Sequence, residues 1–476
     1  MIKNLLLPCI LMIQSVSAQI ISYDNSFASN GKYTIAGSNT SYNTKIVQNP
    51  DKSFYFTYAK DNSSSNIAEC VISKLNANGT VDSSFGNNGE TIISNYYTAV
   101  DSQLTRQSDG KLLVFGFNTD GSVITRITSN GQLDPTFGSN GSSKISNIFT
   151  DFNGAGYGLY LQNNKIIIYG LSTDGTSNFY KSIYRLNNDG SIDNTFGYNG
   201  SVKTMGNFIF LDNQSNIVSF ITDYSNTNSN VTYPNGGMEK YNSNGQPLTT
   251  FGNNGALVFT NSPGVTGTAF MDSNNYIVCA NVLNNEIFRM TPNGIRDNTF
   301  VFDNTAAPFN DGNLSSSITE KNGSYYISWI TGTSGETFLI SKLTSTGAID
   351  PLFNYYSENA VGSLFIGNMI VNDGNIFATR GNQILKFLLN SNATLATADF
   401  SKASKTAISF ENPIKQDLIY HTKETIQSIE IYSSTGKLAK TVKNNHSDLS
   451  ALPSGVYMLK IRFTNGKETT KKLIKK

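Results

Sequence analysis

A segment with the core Gly-x-x-Asp-x-x-Phe recurs along this chain and limits its fold more tightly than any other feature. It reads LNANGTVDSSFGNNG from Leu75, ITSNGQLDPTFGSNG from Ile127, LNNDGSIDNTFGYNG from Leu186, YNSNGQPLTTFGNNG from Tyr241, MTPNGIRDNTF from Met290 and LTSTGAIDPLF from Leu343. The anchors Phe85, Phe137, Phe196, Phe251, Phe300 and Phe353 follow one another at 52, 59, 55, 49 and 53 residues. A half copy, DNSFASNG, lies near the N-terminus with Phe27 as its anchor. A period in the fifties means one supersecondary unit repeated, with each unit burying its apolar face on its neighbours.

Two further elements share the period. Seven polar turns lead into aromatic or β-branched runs, at 50–58, 108–116, 162–170, 212–220, 272–280, 320–328 and 372–380. Such a pattern predicts hairpins feeding buried strands. The last strand of each unit carries one cation: Lys74, Arg126, Arg185, Lys240, Arg289, Lys342 and Lys386. Eight residues later stands Asp82, Asp134, Asp193, Leu248, Asp297, Asp350 or Thr394. The seventh unit stops after ILKFLL (384–389) and lacks the Asp-x-x-Phe segment, while the chain opens with that very segment at Asp24 to Phe27. Joining the ends completes seven units. That is how a β-propeller closes, whereas a solenoid would want capping repeats at its ends. The fold expected is all-β: a seven-bladed β-propeller over 19–390, followed by a small Ig-like β-sandwich. About 60 asparagines and 40 glycines fit such a turn-rich chain. In it the recurring Phe packs blade on blade, the Gly takes a positive-φ turn, and each cation pairs with an Asp, Asp24 standing in for Thr394.

The repeated Gly-x-x-Asp-x-x-Phe-Gly segments resemble the delta-60 repeat, a propeller-like family of bacterial secreted proteins. The resemblance covers about three quarters of the chain. It is weakest at Leu248 and after Phe300 and Phe353, and it carries fold, with no catalytic residues.

The two ends read as addresses. Lys3, the apolar run from Leu5 to Ile13 and Val16-Ser17-Ala18 have the layout of a secretory signal peptide, 1–18, cut after Ala18. Nine apolar residues are too few to span a bilayer, and no later run reaches eighteen, so no transmembrane segment is expected. A polar linker, 391–404, precedes a Lys-rich region, 405–476, with short strands between turns, which reads as a β-sandwich. Its phrases ENPIKQDLIY, IEIYSSTGKLAKT, LPSGVYMLKI and KETTKKLIKK resemble, in order, the C-terminal sorting domain of the type IX secretion system of Bacteroidota. The resemblance implies passage through the periplasm, recognition by the type IX secretion machinery, and release outside the cell or display on its surface. Lys471, Lys472, Lys475 and Lys476 are the candidate recognition edge of this sorting signal, the alternative being a solvated charged strand.

Composition excludes more chemistry than it offers. With 35 Lys+Arg against 34 Asp+Glu, nothing marks a nucleic-acid partner. From residue 399 onward the count is 14 to 7, leaving 21 to 27 before it, so an acidic propeller precedes a basic sorting region. The two histidines are His421 and His446, so the propeller lacks the usual general base, Ser-His-Asp chemistry and His-ligated zinc. Cys70 and Cys279 read as buried thiols and Trp329 as packing between sheets. Turns 118–122 and 172–176 have an acidic look but lack the ligand alternation of a calcium loop. No metal or cofactor is expected. The function expected is a non-catalytic binding or scaffold module for a glycan or protein ligand. The alternative is a carbohydrate-active enzyme with an Asp/Glu pair at the channel mouth, for which the sequence names no pair.

Overall fold

The structure is a computed structural model. It describes residues 18–393 and 408–476, apart from 38–43, 63–66, 94–102, 119–120, 146–147, 150–157, 174–178, 222–234, 261–268, 282–285, 304, 306–314, 332–336, 352, 360–365, 373, 423, 434–436, 444 and 466–467. The signal peptide, most of the linker, and Asp120 and Asp174 of the two acidic turns lie outside the described residues.

Seven antiparallel sheets follow one another through the first unit, Gln19–Ser391. Blade 1 is Lys45–Gln48, Phe54–Asn62, Ile67–Leu75 and Glu90–Ile93, in that order from inside outward. Blade 2 runs Gln103–Arg106, Leu112–Asn118, Gly121–Ile127 and Ser142–Ile145. Blade 3 has Gly158–Gln162, Lys165–Thr173, Phe179–Leu186 and Ser201–Thr204, and blade 4 has Phe208–Leu211, Ile217–Ile221, Gly237–Tyr241 and Ala256–Val258. Blade 5 shows three strands, Ala269–Met271, Ile277–Asn281 and Glu286–Met290. Blade 6 is Ser315–Lys321, Ser324–Thr331, Thr337–Leu343 and Tyr356–Asn359. Blade 7 is Ile366–Asn372, Asn375–Arg380 and Gln383–Ala393, completed by the N-terminal segments Lys32–Thr34 and Ala18–Tyr23. The cation-bearing strand is therefore the third of a blade and not its last. In blades 1–4 and 7 the closing strand follows the motif, because the Asn-Gly step after the anchor Phe turns the chain back along the third strand.

Closure of the ring is explicit. Lys32 to Thr34 pair antiparallel with Leu385 to Gln383, and Gln19 and Ile20 pair in parallel with Phe353 and Asn354 of blade 6. First strands of neighbouring blades contact one another from blade 1 through blade 5, and from blade 6 through blade 7 back to blade 1. The core is divided into seven apolar clusters, each lying between two consecutive blades. Each cluster holds one anchor: Phe27, Phe85, Phe137, Phe196, Phe251, Phe300 and Phe353, all at least 94% buried. Trp329 is fully buried in the cluster between blades 5 and 6.

The motif glycine owes its place to the anchor of the preceding blade. Gly190 has φ +86°, and a Cβ there would lie 2.9 Å from the Phe137 ring. Gly79 repeats this against Phe27 at 2.9 Å, and Gly347 against Phe300 at 2.8 Å. The backbone beside each anchor is clasped too: Gly86 N–H donates to Asn130 O, Gly138 N–H to Asp189 O and Gly197 N–H to Asn244 O, at 2.7–2.9 Å.

The second unit holds Asn392–Lys476. Its three-stranded sheet comprises Ile408–Phe410, Asp417–Thr422 and His446–Asp448. Its four-stranded sheet comprises Leu438–Val442, Ile426–Ser433, Gly455–Phe463 and Glu468–Lys475. Strict alternation along Gly455–Phe463 sends Tyr457, Leu459, Ile461 and Phe463 into a core shared with Leu418 and Tyr420 of the other sheet.

Phe137→Ala should lower the propeller's stability by about 3–5 kcal/mol. Gly190→Ala, which moves only a methyl, should still cost about 1–3 kcal/mol because the left-handed backbone and the Phe137 ring both oppose it. Denaturant midpoints of the two variants check this.

Candidate functional site

The repeat cations are the obvious candidate site, since seven equivalent positions form a ring. Geometry takes that role from them. Lys74 Nζ lies 2.8 Å from Asp82, Arg126 Nε 2.8 Å from Asp134, Arg185 Nε 2.8 Å from Asp193, Arg289 Nε 2.9 Å from Asp297 and Lys342 Nζ 2.8 Å from Asp350. In blade 7, Lys386 Nζ lies 2.8 Å from Asp24, contributed from the other end of the propeller chain. Blade 4 has Leu248 in place of the Asp, and Lys240 turns to Asp212 at 2.9 Å, in the first hairpin of its own blade. All seven cations are thus neutralised.

Five of the motif aspartates, Asp24, Asp82, Asp134, Asp193 and Asp297, work with both oxygens. One Oδ caps the turn, accepting the N–H and hydroxyl of Ser26, Ser84, Thr136, Thr195 or Thr299 two residues on. The other faces the cation. The guanidinium groups also lie over the anchor rings, Arg126 at 4.6 Å from Phe137 and Arg185 at 4.8 Å from Phe196. They reach the next blade as well, Arg126 Nη1 donating to Asn188 O and Arg185 Nη1 to Ser243 O. For Asp134 and Asp193, burial works to raise the carboxyl. The Thr hydroxyl and a neighbouring lysine (Lys111 or Lys165), with the arginine behind them, outweigh it and hold both well below the usual carboxylate range. The Lys74 ammonium and the Ser84 hydroxyl lower Asp82.

A second cluster, marked by no motif, sits where the ring closes. Glu358 of blade 6 accepts Tyr23 OH at 2.7 Å, Tyr356 OH at 2.8 Å and Lys32 Nζ at 2.9 Å, and lies 2.7 Å from Arg380 Nη1. Burial opposes its charge, but the Tyr23, Lys32 and Tyr356 donors and the Arg380 charge hold its carboxyl below the usual value. Its partners are scattered over the sequence and share no motif. The carboxylate is saturated with donors, and it ties the N-terminal segments to blades 6 and 7.

The remaining candidates are plain packing or surface. Cys70 and Cys279 are buried thiols in different blades, not joined in a disulfide, and burial pushes the Cys279 thiol up. Among the described residues, no group of three or more His, Cys, Asp or Glu is placed to hold a metal ion, and no helix is long and apolar enough to cross a membrane. A shallow cleft of about 380 Å³ between blades 2 and 3 is lined by hydroxyls including Ser139, Ser142, Ser143 and Ser191, with Lys144 and Asp189 at its sides. In the second unit the four lysines divide. Lys471 and Lys475 point to the same side as the buried Leu473, with Lys475 itself 8% exposed, while Lys472 points the other way and Lys476 follows the end of the strand. They do not form one edge. The free side of that strand is closed by Asn412 and Ile414, through Asn412 Nδ2 to Lys472 O and Lys476 N–H to Ile414 O.

Two consequences are measurable. The paired aspartates have lowered folded-state pKa values, so their stabilisation is complete above the unfolded carboxylate value of about 3.9 and is lost progressively as pH falls from there through the lower folded-state values. Thermal melts should hold level near neutrality and drop steeply below about pH 4. Asp212→Ala should cost about 3 kcal/mol by leaving Lys240 buried and unpaired. Adding Leu248→Asp should recover much of it, because that position supplies the carboxylate in the other six blades; a double variant no more stable than Asp212→Ala counts against the pairing account.

Comparison with known proteins follows this architecture. No curated protein sequence matches the chain. Residues 107–137 and 161–196 match the family described as "Domain of unknown function (DUF5122) beta-propeller"; each match runs from a hairpin turn to an anchor, Phe137 or Phe196. Among solved structures, selenomethionine-substituted virginiamycin B lyase from Staphylococcus aureus is 15% identical, covering 75% of this chain and 98% of that one at a TM-score of 0.47. The β-propeller domain of the Trilobed protease from Pyrococcus furiosus is 11% identical, covering 73% and 91% at 0.41. At these scores the likeness says nothing of this chain's activity. Residues 410–476 match the secretion system C-terminal sorting domain, which marks the chain for type IX export to the cell surface or extracellular space.

Proposed function

We propose that the exported propeller is a non-catalytic binding or scaffold module whose ligand, a glycan or a protein, docks at the end of the blades opposite the repeat turns. The observation that carries this reading is the neutralisation of all seven repeat cations by carboxylates of the fold. Antiparallel order places the hairpin between first and second strands, and the motif between third and fourth, at one end of every blade. Contacts such as Gln107 Nε2 to Asn188 Oδ1 (2.8 Å) and Tyr55 OH to Ser129 O (3.1 Å) bind those two sets of turns together. That end is a structural frame. The connections at the other end differ from blade to blade: second and third strands are joined by 119–120 in blade 2 but by 222–236 in blade 4. Variable connections on a rigid frame are where binding surfaces are built.

The carbohydrate-active alternative needs a pair of unspent carboxylates. The buried ones, Asp24, Asp134, Asp193, Asp212 and Asp272, all have partners, the last accepting Tyr325 OH at 2.7 Å. Screening the exported chain against glycans and against whole cells tests the proposal. Saturable binding without turnover is expected; hydrolysis of a bound glycan, abolished by changing one Asp or Glu, sinks it. Deleting 410–476 should trap the propeller in the periplasm, read by fractionation and immunoblot, with its melting transition retained.

A further inference from the structure

Thirteen Asn-Gly steps stand in this chain, and eleven of them lie wholly within the described residues. Such a step invites one reaction above others. The glycine nitrogen, unshielded by a side chain, attacks the asparagine Cγ, and a five-membered imide forms. The attack requires the glycine N–H to give up its proton. In nine of the eleven steps that N–H is tied to a backbone carbonyl, which cannot take the proton at neutral pH; Gly31 to Phe27 O, Gly89 to Phe85 O and Gly141 to Phe137 O, at 2.8–3.0 Å, are three of them. In a tenth, the asparagine itself is held, Asn235 Nδ2 donating to Thr260 O at 2.9 Å.

Asn322–Gly323 is the exception. It forms the two-residue turn between Lys321 and Ser324 that joins the first two strands of blade 6, with φ +52° and +74°. Asn322 is exposed, and no atom lies within 4 Å of where a Cβ on Gly323 would stand. Here the glycine N–H donates to a carboxylate, Glu320 Oε1, at 2.6 Å. A general base works at that reach. We propose that Asn322 is a self-modification site at which Glu320 takes the Gly323 proton. The Gly323 nitrogen bonds to Asn322 Cγ, the Cγ–Nδ2 bond breaks, and the proton held by Glu320 leaves with the amide nitrogen as ammonia. Water then opens the imide at either carbonyl, giving aspartate or isoaspartate. Both products add a negative charge two residues from Glu320. The isoaspartate form also adds a backbone carbon to a turn whose length sets the register of the hairpin.

Ageing the full chain at neutral pH, with peptide mass mapping of each asparagine, tests this. In the folded protein Asn322 should convert faster than Asn30, Asn88 or Asn140. Glu320→Gln keeps an acceptor for the Gly323 N–H but cannot take its proton, and should slow conversion at 322 by roughly tenfold or more. Between about pH 6 and 8 the rate should stay nearly level with Glu320 in place and climb with hydroxide in the Gln variant. Unfolded in urea, the two proteins should convert Asn322 at one rate, because the base is then no longer held against the N–H. Conversion at 322 no faster than at the tied steps, a Gln variant as fast as the parent, a shared pH profile, or a difference that survives unfolding overturns the proposal.

Discussion

The propeller depends on a carboxylate that holds two things at once. In five blades one oxygen of the motif Asp fixes the turn after the third strand, and the other neutralises the cation on that strand. Where the cation is arginine, its plane also lies over the anchor Phe and its far nitrogen reaches the next blade's turn. Turn, blade and neighbour are therefore coupled through one ion pair. Every side chain in these pairs is at least 81% buried, and a charge left without its partner there costs far more than a surface pair is worth. The carboxylate and the cation consequently have to be kept or replaced together.

Blade 4 shows what is required. Leu248 removes the carboxylate from its usual place, and Asp212 supplies one from the first hairpin, 2% exposed and 2.9 Å from Lys240. The requirement is a negative group against the buried ammonium, whichever turn provides it. Blade 7 meets it in a third way. Its Asp24 comes from the opposite end of the propeller, so the pair that stabilises a turn elsewhere here also closes the ring. Glu358 reinforces that seam by gathering donors from the N-terminal segments and from blades 6 and 7.

The repeat and its split were legible in the sequence because they are periodic. Period places Phe27 with the other anchors and Asp24 with Lys386, although 362 residues separate the last two. What period does not encode was not legible. Asp212 precedes Lys240 by 28 residues, and only strand register brings them together. The Glu358 cluster has no repeat counterpart. The cation strand reads as the end of a unit because the motif interrupts the apolar pattern, yet the chain returns for one more short strand. The four C-terminal lysines look like one basic edge until strand alternation puts Lys472 on the opposite face from Lys471 and Lys475.

Charge links the frame to its use. Residues before 399 carry 21 Lys+Arg against 27 Asp+Glu, and the repeat cations are all bound to carboxylates within the fold. The excess acid therefore belongs to the rest of the propeller surface, where it disfavours polyanions. The second unit has the opposite sign, 14 against 7 from residue 399 onward. A near-neutral total of +1 thus joins an acidic cargo to a basic sorting region, and separating the two would leave a propeller whose net charge favours solubility and resists indiscriminate association with anionic surfaces.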